Sequence, residues 1–173
     1  LTQIGVALQN YESAHGVLPP GVIDKQGPIR SAAQGYHISW MVHLLPYLEE
    51  GTTYRHIDLS AGAYDEKNAA ARKVPISLFC CPSSPFSHRL GGRDEIDDTW
   101  TAAASNYAGC HHDVEAPIDA DNHGVLFLNS HISAQDVTDG TTHTIYVGEK
   151  FAYRDDLGWM SGTRATLRNT GTT

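Results

Sequence analysis

The chain opens with a stripe that restricts its folding more than any other stretch: Leu1, Ile4, Leu8 and Tyr11 recur at steps of three and four residues. That spacing lays one apolar face along a helix, with Val6 and Ala7 beside it. Gln3, Gln9, Asn10, Glu12 and Ser13 cover the other side. Gly16 supplies a residue that tolerates positive φ, and Pro19-Pro20-Gly21 prevents a restart, so the pattern predicts a helix over residues 1–15. Leu1 is no N-cap, and the stripe is already running at the first residue. The expectation is a helix continuing backward beyond Leu1; an ordinary amphipathic helix shortened by a turn is the alternative. In either case the stripe needs a surface to cover it.

At 173 residues, 40% of them hydrophobic, the rest of the chain suits one folded domain with a real core. Twenty acidic against twelve basic side chains give a formal charge of −8, without a basic cluster. Phosphate neutralisation, and with it nucleic-acid binding, is therefore not expected. No apolar run reaches the 18 or so residues of a membrane span. Cys80, Cys81 and Cys110 form no C-x-x-C pair. One bridge from Cys80 or Cys81 to Cys110 and three reduced, buried thiols are both open readings.

Along the chain, Ser39–Leu45 reads as a short helix or turn, and Pro46 can open a second one over residues 47–54. His37 and His43 lie among large apolar residues and read as packed, hydrogen-bonded histidines. Residues 68–73 are a plausible helix, and Val74–Cys80 an extended buried segment. Gly91-Gly92 lacks the lysine and framing of a phosphate loop. Strands are expected over Ala104–Cys110, Val125–Leu128 and Thr142–Gly148, the last by its period of two. Helix first and strands late predict an α+β fold: an N-terminal helix packed on a mainly antiparallel sheet, with long loops.

Residues 110–124 gather one Cys, three His, three Asp and one Glu between two of those strands. Cys110, His111, His112 and His123 are ligand types that suit zinc, although adjacent histidines on a strand point to opposite faces and do not chelate together. Asp119, Asp121 and Asn122, followed by Gly124, offer oxygens in the manner of a short calcium loop, without the glutamate that closes an EF-hand. A solvated polar loop is the plain alternative. There is no G-x-S-x-G elbow, and the pairs Asp97-Asp98 and Asp155-Asp156 read as solvated charge, so no catalytic function is expected.

Several stretches together resemble the prepilin-like proteins abundant in planctomycetes, known chiefly for a prepilin-type cleavage and methylation segment ahead of a head of unknown function. They are the Leu1–Gly21 block with its Gln3-Ile4-Gly5, Asn10-Tyr11 and Pro19-Pro20-Gly21; Leu44-Leu45-Pro46-Tyr47; and Cys81-Pro82-Ser83. Later come Asn106-Tyr107, Asn122-His123-Gly124-Val125 and Asp139-Gly140-Thr141-Thr142-His143-Thr144-Ile145 with Gly148-Glu149, the most specific of all. The chain departs from that family in lacking the membrane-inserting segment in front and the last His…Asp-Gly-Ser-Val block behind, and in placing His143 where asparagine is usual. The resemblance implies an extracytoplasmic subunit of a pilus-like or pseudopilus-like filament. Residues 1–16 would be the outer half of its spine helix and residues 17–173 its head. Leu1, Ile4, Leu8 and Tyr11 would pack against sister copies, with other pilins and secretion machinery as partners and the membrane met only through a preceding segment. Cys81 falls on the family cysteine, which makes Cys81–Cys110 the expected pair. The competing expectation is an extracytoplasmic binding module with a metal (calcium, if any) or glycan site around residues 110–124.

Overall fold

The computed structural model describes residues 1–84, 90–91, 102–153 and 156–171. Gly92, Asp97, Asp98 and Asp155, considered above, lie outside the described residues. The first helix, α1, spans Thr2–His15 and ends where the apolar period ends. Gly16 closes it at φ 79°, its N–H reaching the Glu12 carbonyl at 2.7 Å, a left-handed stop suited to glycine. Two short strands, β1 (Val22–Ile23) and β2 (Ile38–Ser39), pair antiparallel. Then α2 (Trp40–Leu44), a 3₁₀ turn at Leu45–Tyr47 and α3 (Gly51–Arg55) follow, with Pro46 in the tight turn rather than opening one longer helix. A 3₁₀ turn at Glu66–Asn68 leads into α4 (Ala69–Arg72). Another, Ser77–Phe79, stands where an extended segment is expected, although Ile76 and Phe79 are buried as that reading requires.

The fold is mixed α/β with small sheets. Strands β3 (Leu90–Gly91) and β4 (Ala102–Ala103) form an antiparallel pair. The largest sheet has three strands in the order β6 (Val147–Glu149), β5 (Tyr107–His112), β7 (Leu167–Asn169). β5 runs antiparallel to β6 and parallel to β7. The sheet is thus mixed, where a mainly antiparallel one is expected. β5 starts three residues later than its pattern suggests and continues through His112. Val125–Leu128 forms no strand; a single parallel bridge joins Leu128 to Val22. Thr142–Thr144 lie in a turn, so only the tail of the alternating stretch is extended.

Packing centres on Trp40, Phe79, Leu126 and Trp159, all fully buried. Each indole N–H finds a carbonyl: Trp40 Nε1 donates to Thr166 O at 2.9 Å, and Trp159 Nε1 to Val74 O at 3.0 Å. Helix α1 joins this core chiefly through α2 and the turn after it. Ile4 and Leu8 are only 1% and 3% exposed within the single chain, and Ala7 is buried with them. Tyr11 lies edge-on to Tyr47 and His43. The stripe expected to meet sister copies is therefore largely covered by the chain itself, since the Leu44-Leu45-Pro46-Tyr47 block supplies the complementary apolar surface. Val6 is 50% exposed on the other side of the helix, not beside the stripe, and Leu1 is 56% exposed. Among the described residues no helix is long and apolar enough to cross a membrane.

Candidate functional site

The segment 110–124 leaves the end of β5, crosses an exposed loop and returns against the strand it left. Gly124 governs the return. Its N–H bonds to His111 O at 3.0 Å, and a Cβ there would lie 2.4 Å from Cys110 O. Only glycine lets the two backbones approach this closely. Val125 and Leu126 N–H then both reach Cys110 O, at 3.1 and 3.0 Å. On the far side, Thr170 N–H donates to His112 O at 3.0 Å, tying the end of β5 to the residue after β7. Backbone bonds thus hold His112 and the turn carrying His123, and His112 Nδ1 also accepts from Val114 N–H at 3.2 Å.

The two adjacent histidines diverge, as alternation along a strand demands. His111 is buried, and its Nδ1 lies 3.0 Å from Asn122 Oδ1. Burial pushes its imidazole below the ordinary range, a shift that the Asn122 contact opposes. His112 turns the other way, its ring tilted at 40° against that of His123 with centroids 4.8 Å apart. His112 Nδ1 lies 2.5 Å from Asp113 Oδ1, and His123 Nδ1 lies 3.8 Å from the same oxygen. The Asp113 carboxyl is held below its usual value, first by its own backbone amide and then by the two imidazoles. One ligand atom from each of these three residues lies within 4.8 Å of the others, the one such His/Cys/Asp/Glu group among the described residues.

This trio is neither of the sets expected from sequence. Of the zinc-type ligands, His112 and His123 come together, whereas His111 faces Asn122 and Cys110 Sγ points to His112 O at 3.6 Å. Of the calcium set, Asn122 is spent inside the loop. Its Oδ1 accepts from Asp119 N–H at 2.9 Å, and its Nδ2 donates to Pro117 O at 3.0 Å. Asp119 caps the next residue, accepting from Ala120 N–H at 2.8 Å, and Asp121 is exposed. These hydrogen bonds of Asp119 and Asn122 shape the turn that presents His123. Asp113 was legible only as part of a ligand-rich stretch, because the return at Gly124 decides its company. The Cys81–Cys110 bridge is not formed: all three cysteines are free, and Cys81 Sγ lies 3.6 Å from Glu149 Oε1.

A second feature is a groove of about 560 Å³ between α1 and residues 141–147, with Leu1, Gly5 and Leu8 on one wall and Ile145 and Val147 on the other. Glu12 crosses its end, accepting from Ala134 N–H at 2.5 Å.

A small α/β domain with an uncrowded helical flank and a histidine–aspartate cluster is the class these features define. The pattern of the family described as "Protein of unknown function (DUF1559)" matches residues 1–173, and the chain belongs to that family. No curated protein and no solved structure matches it.

Proposed function

We propose that the chain is the head and adjoining helix of an extracytoplasmic, pilus-like filament subunit, related to the prepilin-like proteins whose motifs it shares in order. The observation that carries this reading is the outward face of α1. The inward face is sealed on the head by Ile4, Ala7 and Leu8, which makes the helix a rigid strut. Val6 on the outward face stays in solvent, and so does Leu1 at the start of the stripe, where it lines a groove that also exposes Ile145. Leu1, Ile145 and the apolar lining of the groove form the contiguous surface that a further copy would cover in this reading. In this reading Leu1 and Val6 replace Ile4, Leu8 and Tyr11 as the residues that meet a neighbour.

Electron microscopy of cells producing the whole gene product tests the proposal. Ordered fibres are expected from the wild type. Val6→Glu should reduce or abolish them while leaving the helical circular-dichroism signal of this domain unchanged. A whole gene product that stays a monodisperse monomer at high concentration overturns the reading.

A further inference from the structure

We infer that His112, Asp113 and His123 bind a divalent transition ion of the zinc class. Two imidazoles and one carboxylate are borderline donors of the kind zinc and its neighbours take, whereas calcium needs six or more oxygens, which this cluster does not supply. The main chain is set before any ion arrives. Gly124 N–H on His111 O and Thr170 N–H on His112 O fix the two backbones that carry the histidines. Binding therefore has side chains to order but not the main chain. The side chains of His123 and Asp113 are 74% and 67% exposed, so an ion has access, while His112, at 11%, forms the fixed floor.

Bonds of about 2.0–2.2 Å to a tetrahedral ion set ligand atoms roughly 3.4 Å apart. The 3.8 Å between His123 and Asp113 is already close, and the 2.5 Å between His112 and Asp113 opens with a shift of about 1 Å by an exposed carboxylate. Three protein ligands leave a fourth position to water or to a donor from another molecule. The net charge of −8 also favours cations near the surface. The site is independent of assembly through α1, so it stands or falls separately from the filament reading.

Calorimetric titration of the domain with zinc chloride at neutral pH tests the inference. One equivalent should bind saturably. His123→Ala and Asp113→Asn should each weaken it on the order of 100-fold, whereas His131→Ala, an exposed histidine elsewhere, should leave it unchanged. Metal-free thermal unfolding of the variants reports whether they fold. A measurement on the wild type alone covers the case in which they do not: zinc should protect His112 and His123 from diethylpyrocarbonate, read by mass spectrometry, and leave His131 reactive. Absence of saturable binding, unchanged affinity in both variants, or unprotected His112 and His123 overturns the assignment.

Discussion

His43 shows how far a single residue can be read and where the reading stops. Its apolar neighbours predict a packed histidine, and it is packed, but its Nε2 is buried without a hydrogen-bond partner among the described residues. Burial, with His15 adding to it, pushes the imidazole from 6.5 down to about 4. An unfolded chain takes up the proton near 6.5 and the folded chain only near 4, so between those values the unfolded state binds more protons. Stability is complete above the higher value and falls as the pH drops toward the lower one. The loss attributable to His43 is about 2–3 kcal/mol. Urea unfolding at about pH 7.5 and pH 4.5 should show His43→Leu losing less stability than wild type by roughly that amount; equal losses would remove His43 from the acid response. By contrast His37, read the same way, has the Tyr64 hydroxyl 3.1 Å from its Nδ1. Sequence distinguishes a buried histidine from an exposed one, but not a satisfied ring from an orphaned one, because the partner lies 27 residues away.

Among the elements, α1 was legible because everything that defines it is local: apolar period, polar face, and a glycine stop. What covers the stripe was not legible, since Leu44–Tyr47 meets it only in the folded chain. The two faces should separate cleanly in energy. Leu8→Ala is expected to destabilise the domain by about 2–4 kcal/mol, whereas Val6→Ala should change it by less than about 0.5 kcal/mol. Urea midpoints at constant m-value measure both, and a Leu8→Ala cost as small as that of Val6→Ala would place α1 outside the core. The strands read less well. Thr142–Gly148 alternates, yet Gly140 N–H bonds to Val137 O and Thr144 Oγ1 to Gly140 O, so turn hydrogen bonds hold its first half. Val125–Leu128 is apolar without being a strand because it fills the core under Gly109, where Leu126 Cδ1 leaves no space for a side chain.

At the scale of the whole molecule, the leading helix and the late position of the largest sheet follow from pattern, but the early strand pair β1–β2 and the place of β7 do not. β7 carries no strong strand signal, being Leu167-Arg168-Asn169, yet it is the parallel neighbour of β5. The residue before it accepts the indole proton of Trp40, and Ser39 Oγ donates to Trp159 O at 2.6 Å. The closing segment thus supports the centre of the core. A chain stopped after Arg164 should lose cooperative unfolding altogether, seen as a broad, shallow urea transition in place of a single sharp one; a sharp transition near the intact midpoint would show that β7 is dispensable. The parallel pairing of β5 with β7 has a further consequence while the protein is being made. The paired residues Gly109 and Leu167 are 58 positions apart, and at roughly 5–20 residues per second the ribosome needs about 3–12 s to span them. For that interval the edge of β5 that β7 will occupy stands open on the nascent chain, free to pair with any other extended segment that comes near.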